Sequence, residues 1–462
     1  MKHQGKHKTF VFENYKFDQK LKELVLTYSF DSNVFFEEKI KFDFDFIEDY
    51  SEEILDNAFF SLWVMAGISY FKAALPSDIK FKKGLLDPAQ REFFQKIYTH
   101  GLGEFFYMND IDPKGKINFE GIEEVEGDCH ASLRSARNDK SGGVLPLAGE
   151  MKRGRRNALV PLGGGKDSLT TIEILKSAGI DFETITVDSD QRFEAVSEIV
   201  GASHLNISRK ISPELIKMNK DGALNGHVPI SAIWAFIFVC TVVLRGNKNI
   251  ILSNEHSANE ATTEYKGMDV NHQYSKTLEF EKDLQKYITE NISDEINYFS
   301  FLRPLTELHI AQIFCSEISD RYKGKFSSCN KNFKILSDKK IDFTWCNNCP
   351  KCAFVFAIFS PFLSQEELFE IFGENLYAKV ELEGTFIELL GLTGSKPFEC
   401  VGEVMEVRKA MIMVKDKFPE VGKFLKKLSE EELTEAENFD YKKLHSSSMN
   451  CGFKDILEEF VG

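Results

Sequence analysis

A short apolar run, Asn157-Ala158-Leu159-Val160-Pro161-Leu162, passes directly into Gly163-Gly164-Gly165-Lys166-Asp167-Ser168, and a helical pattern follows over residues 169–178. A strand, a glycine turn and a helix in that order open a βαβ unit, whose next strand returns parallel to the first. The same texture continues downstream. Residues 183–187 read as a strand, 193–200 as a helix, 234–244 as a buried helix and 249–252 as a strand. Residues 151–325 are therefore expected to form an α/β domain on a parallel sheet. Glycines in the turn let the backbone approach a ligand closely, and the free N–H groups at a helix start form an anion site. Lys166 and Ser168 can add side-chain contacts to phosphate. The Walker spacing fails, because it needs Gly where Val160 stands and Ser or Thr at Asp167; a dinucleotide fingerprint needs Gly at Ser168. The plainer alternative is a glycine turn that only lets strand and helix pack tightly.

Upstream the pattern differs. Residues 9–44 alternate apolar and polar in three short runs (TFVFENYKF, ELVLTYSF, VFFEEKIKFDF), as in an antiparallel meander. A helix opens after Ser51 and continues to Phe71, before Pro76 stops it. A second starts at Asp87-Pro88, with proline in its favoured first turn, and runs to about His100. Residues 1–150 thus read as a smaller N-terminal α+β domain. The Gly/Lys/Arg-rich stretch 139–156 reads as a linker, and 326–462 as a C-terminal region of cysteines and helices. Its Lys/Glu-rich tail beyond Lys415 reads as a solvated helical surface.

A formal net charge of −15 argues against a protein that tracks a nucleic-acid backbone. The longest apolar run, 228–244, contains Ser231 and Thr241 and stops at Arg245, so it reads as a core helix and not a membrane span. The N-terminus MKHQGKHKTF has no apolar core of a secretory signal. Nine cysteines, an odd number, fit reduced thiols, and a cytoplasmic location is expected.

Two further segments carry chemistry. SNEHSANE (253–260) begins at the end of the strand 249–252, where open α/β sheets hold their ligands, and VNHQYSK (270–276) follows it. Glu255 or Glu260 suits Mg²⁺ on a triphosphate, and His256 and His272 suit acid/base work or hydrogen bonding to a substrate. A polar, capped loop is the plainer reading. Cys329 is followed by Cys346, Cys349 and Cys352, a C-x₁₆-C-x₂-C-x₂-C set that suits tetrahedral zinc; the C-x₂-C-x₂-C run is also seen at iron–sulfur clusters. Reduced free thiols in a half-buried turn are the third alternative. Phe354, Phe356, Phe359 and Phe362 follow directly, as a core that a metal would staple.

The GGGKDS turn resembles the SGGKDS pyrophosphate loop of the PP-loop ATP pyrophosphatases. The resemblance implies that Gly163, Gly164, Gly165, Lys166, Asp167 and Ser168 hold the pyrophosphate of ATP while a substrate oxygen attacks the α-phosphorus. Asp188 then ends the strand beside which the adenosine lies. One departure is Gly163, which stands where the family has its first loop serine. A cysteine group similar to this one binds structural zinc in the PP-loop enzyme that makes the queuosine precursor, which implies zinc here. Several runs together look like a narrower family, the MurL-type UDP-N-acetylmuramoyl-L-alanyl-L-glutamate epimerases of peptidoglycan synthesis. They are AGISYFKAALP (66–76), GGGKDS, NGHVP (225–229), SNEHSANE, VNHQYSK, FLRPLTEL (301–308), WCNNCPKC (345–352) and KPFECVGE (396–403). This resemblance implies a small-molecule UDP-MurNAc-dipeptide substrate, ATP and Mg²⁺, release of AMP and pyrophosphate, and neither a nucleic-acid partner nor a membrane. It leaves the oligomeric state open. Cys400, beside Glu399, is a candidate for moving the Cα proton, as are His272 and His256. Competing readings are a PP-loop enzyme acting on tRNA or a modified-base precursor, and a non-catalytic, zinc-stapled nucleotide-binding adaptor.

Overall fold

The computed structural model describes residues 6–119, 157–189, 191–329, 345–394 and 396–462; the expected linker 139–156 lies outside them. The fold is mixed α/β, built on one nine-stranded sheet. Its strands are β1 (Thr9–Asp18), β2 (Glu23–Phe30), β3 (Val34–Phe42), β4 (Asp78–Phe81), β5 (Ala158–Pro161), β6 (Phe182–Val187), β7 (Ser203–Lys210), β8 (Asn249–Leu252) and β11 (Asn297–Ser300), in the order β11-β8-β5-β6-β7-β3-β2-β1-β4. A separate hairpin pairs β9 (Thr263–Tyr265) with β10 (Met268–Val270). The segment β11-β8-β5-β6-β7 is parallel throughout. Taken in chain order, those five strands run 3-2-1-4-5, so the order reverses between β5 and β8.

The meander forms as its alternation requires, but it does not stand as a domain of its own. β3 pairs antiparallel with β7, from Lys39 opposite Lys210 to Phe42 opposite Ile207, and so extends the parallel sheet. The reason lies in β3 itself. Glu38 is fully buried, and a buried carboxylate needs a charged partner and further hydrogen bonds. Arg209 on β7 supplies two, from Nε at 2.7 Å and Nη2 at 3.1 Å, and the Tyr70 hydroxyl donates a third at 2.8 Å. An unpaired edge strand would leave this charge without its counter-ion.

The apolar core follows the same logic. One cluster joins the meander to the helix Glu52–Ala66 and to the helix Ile230–Arg245 behind the parallel strands. Ser51 caps the first of these helices through the Ile54 N–H. The stretch Glu52–Phe71 is long and apolar enough to cross a membrane, but 83% of its apolar 18-residue portion is buried, as in the core helix of a folded domain. The helix Pro88–Gly101 starts where expected, with a reciprocal Asp87–Gln90 capping box. A second cluster packs β5 and the following helix against the cysteine turn and the C-terminal helices. The charged tail is helical but not wholly solvated: Cys451–Val461 buries Phe453 and Leu457.

Candidate active site

Ligands of open α/β sheets sit where the strand order reverses, beyond the carboxyl ends of the strands. Here that crevice is flanked by the glycine turn after β5 and by SNEHSANE after β8. The helix after the turn spans Lys166–Ser177, three residues longer at its start than the hydrophobic periodicity suggests, because extended Gly165 serves as its N-cap. Lys166, Asp167 and Ser168 therefore form the first helical turn, with their N–H groups at the positive end of the helix dipole. Gly164 has φ +70°, a conformation that costs glycine little. A Cβ at Gly165 would lie 3.1 Å from the Ser328 side chain. Ser327 N–H also donates to the Gly164 carbonyl at 3.0 Å, so the approach to the cysteine cluster rests on the loop. The Ser168 hydroxyl donates to the Gly165 carbonyl at 3.1 Å.

Lys166 is buried, and its ammonium donates to Asp167 and to Glu307. Glu307 opens the helix Glu307–Ile313, capped by Thr306, and also faces Lys351 at 3.7 Å. Burial lifts the Glu307 carboxyl to about 7 against the pull of Lys166. Glu406, buried beside it, is lifted to about 8 by burial and then by Glu307. A lysine and a cluster of acids are thus packed behind the glycine turn, with Lys166 holding its charge because Asp167 and Glu307 outweigh the burial that would neutralise it.

Cys400 and His272 are hydrogen-bonded to each other. Lys276 Nζ donates to Cys400 Sγ at 3.3 Å. Burial alone would push the thiol up. Lys276 and a hydrogen bond from His272 reverse that and bring it down to about 6. His272 Nδ1 lies 2.5 Å from Glu104 Oε2. Burial would depress His272, yet Cys400 and Glu104 raise it to about 9. Between these two values the pair favours thiolate and imidazolium. His227 Nδ1 shares Glu104 Oε2 at 3.2 Å; burial holds this second ring down at about 4, so it is neutral. Lys276 links the two halves of the site. Burial pushes it down, but Cys400, Glu255 and Asp167 all act on it and together hold it above the ordinary ammonium value.

Other candidates take different positions. Glu255 is buried and acts on both Lys276 and Glu307, at the crevice. Glu260 instead pairs with Lys396 at the surface. Asp188 ends β6 at φ +56° and accepts from the Arg209 N–H at 2.7 Å, on the same end of the sheet as the glycine turn. His256 does not join Cys400: it stacks on His445 with ring centroids 3.5 Å apart and lies 3.7 Å from Glu403. Burial, then His445, brings it to about 4. Glu399 turns away from its neighbour Cys400 and accepts from the Lys351 N–H at 3.2 Å, at the start of the helix Pro350–Phe359. That bond helps to hold the start of the helix. Glu104, His227, Lys276, Glu307 and Lys351 carry no role in the sequence reading. All but Glu104 lie in the motif runs quoted there, so the runs themselves were the signal.

The sulfur atoms of Cys329, Cys346, Cys349 and Cys352 all lie within 4.8 Å of one another. Cys346 and Cys352 are 3.7 Å apart, and Cys349 and Cys352 are 3.5 Å apart. A tetrahedron with Zn–S bonds of ~2.3 Å has edges of about 3.8 Å, so the set fits a four-coordinate metal. Lys351 stands between two of these ligands and reaches Glu307, which ties the cysteine turn to the glycine loop.

Comparison with known proteins gives one family. Residues 1–301 match the family model for the MurL N-terminal domain, and 325–441 match the MurL C-terminal domain. The first of these spans meander and parallel strands together, as the single sheet does. A UDP-N-acetyl-alpha-D-muramoyl-L-alanyl-L-glutamate epimerase of Xanthomonas oryzae pv. oryzae is 38% identical over 353 residues, covering 76% of this chain and 73% of that protein. Proteins of the same name from Micromonospora sp. and Salinispora tropica are 37% and 36% identical, covering 75% and 86% of this chain and 72% and 82% of their own lengths.

Proposed function

Since the chain belongs to the MurL family, we propose that it inverts the terminal L-glutamate of UDP-MurNAc-L-Ala-L-Glu to D-glutamate, using ATP and releasing AMP and pyrophosphate. The observation that carries this reading is the position of Lys276, which bonds Cys400 and feels Asp167 of the glycine loop. An acyl-activating site and a proton-transfer site are thereby adjacent.

The chemistry explains why both are needed. The Cα–H of a peptide-terminal glutamate is very weakly acidic, because removing the proton would place a carbanion beside a carboxylate. In the first step a carboxylate oxygen attacks the α-phosphorus of ATP, and the bond to the bridging oxygen breaks, releasing pyrophosphate. Backbone N–H groups at Lys166–Ser168, with Lys166, would stabilise the leaving group. The acyl-adenylate carries no carboxylate charge, so its Cα–H is far more acidic. Cys400 thiolate takes that proton, held ionised by Lys276 and His272. A solvent-derived proton delivered to the opposite face sets the D configuration, Cys400 returns its own proton to solvent, and water cleaves the mixed anhydride to carboxylate and AMP. Glu255 and Asp167 would hold Mg²⁺, which would neutralise phosphate charge. The four cysteines would hold zinc in a structural role, fixing Lys351 and the Ser327–Ser328 backbone against the loop.

The test is incubation with ATP, Mg²⁺ and UDP-MurNAc-L-Ala-L-Glu, with chiral analysis of the released glutamate and chromatography of the nucleotides. D-Glutamate with AMP is the expected outcome. ADP as the main nucleotide, or glutamate that stays L, would overturn the proposal.

A further inference from the structure

Lys72 is 3% exposed. It makes no ion pair among the described residues: its ammonium donates to Asn225 Oδ1 at 3.2 Å and lies 5.6 Å from the centre of the Phe105 ring. A buried ammonium without an anion is costly, and such groups are normally paired. Burial brings this one down to about 8. The pair is still reachable, because Asn225 is exposed.

Its neighbours show what it faces. Lys72 acts on His227, His227 shares Glu104 with His272, and His272 bonds Cys400. On the other side of Cys400, Lys276 leads to Asp167 and the glycine loop. Glu104, His227 and His272 are close enough together to hold a cation, but Lys72 and Lys276 both act on His227. Two ammonium groups beside one histidine favour an anionic visitor over a divalent metal.

We propose that Lys72, assisted by Asn225, receives the side-chain carboxylate of the glutamate being inverted, and so makes the site selective for an acidic residue. The inference rests on the epimerase reading above. With the α-carboxyl turned to the loop for adenylation and the Cα proton at Cys400, two branches remain, the amide nitrogen and the side chain, and only the side chain carries the negative charge that suits an unpaired ammonium. The ammonium then gains the anion that the folded chain does not provide. Asn225 Oδ1 also accepts from the Gly226 N–H at 2.9 Å, which fixes the amide and leaves its NH₂ group as a second donor.

The experiment compares kcat/KM for UDP-MurNAc-L-Ala-L-Glu with that for the same compound ending in L-Gln, whose side chain has no charge. Losing a buried charge pair at this site is expected to cost the wild-type protein on the order of 10²–10³-fold on the amide. Lys72→Met should lower turnover of the glutamate substrate by a similar factor and change the amide little, so that the two values converge. Lys72→Arg should keep most of the preference. Wild-type protein that inverts both substrates equally would overturn the inference even if Lys72→Met failed to fold. So would a Lys72→Met variant that slows both to the same extent. Neither result would touch the epimerase reading, which fails if the wild-type protein leaves the glutamate L or makes ADP as its main nucleotide.

Discussion

Lys276→Met removes the strongest charge acting on Cys400. The thiol stands at about 6 instead of its ordinary 9.0 although burial opposes ionisation. At 1.36 kcal/mol for each tenfold change, that difference is about 4 kcal/mol in favour of the thiolate. His272 and Lys351 remain in the variant, so the thiol should rise back toward its ordinary value. A full return to 9.0 would cut the thiolate fraction at pH 7 roughly a hundredfold, which bounds the expected fall in epimerisation. Raising the pH to 9 should restore most of the thiolate. The wild-type profile should climb through about 6 as Cys400 ionises and decline through about 9 as His272 loses its proton. The two apparent values belong to the coupled pair and not to either residue alone. The direct assay is the rate of iodoacetamide alkylation at Cys400 against pH, read by peptide mass spectrometry with exposed Cys451 as internal reference. A wild-type midpoint near 9, or one that Lys276→Met leaves in place, would refute the reasoning.

Asp167→Ala and Ser168→Ala should each remove most turnover while leaving the circular dichroism spectrum unchanged, since both side chains lie on the first helical turn beyond the loop. Elemental analysis should find one zinc per chain; iron with acid-labile sulfide would exclude the structural-zinc assignment. Cys349→Ala should lose that metal and show a lower Tm and soluble yield, because metal binding at such a site is folding free energy. Turnover in D₂O should place deuterium at Cα of the D-glutamyl product. Protium retained there would exclude exchange through Cys400, whatever becomes of ATP.

The local features were legible in the sequence because local rules make them. Ser51 and Asp87-Pro88 mark helix starts by capping, and the meander shows a period of two. The glycine turn announces itself by residues that few other structures need. Three strands were not legible. β4 and β11 have four residues each and lack the aliphatic run that marks the equally short β5 and β8, and β7 carries only Leu205 and Ile207 as buried apolar residues. The site was legible as a set of motifs and not as an arrangement. Glu399 was placed beside Cys400 by sequence adjacency, yet its carboxylate turns to the Lys351 N–H. Glu104 carries no motif at all and enters the site only because its helix packs against the β9–β10 hairpin segment near His272.

The seam between β3 and β7 has a consequence for synthesis. Glu38 and Arg209 lie 171 positions apart. At 5–20 residues per second, a ribosome needs roughly 10–35 s to deliver the arginine after the glutamate. Throughout that interval the nascent meander carries an open edge. Glu37, Glu38, Lys39 and Lys41 along that edge place charges where another chain would pair. The carboxylate that later anchors the finished sheet therefore also guards the growing chain against edge-to-edge aggregation. Glu38→Leu would keep the strand's β propensity but remove that protection, and its damage would appear first as insoluble nascent protein.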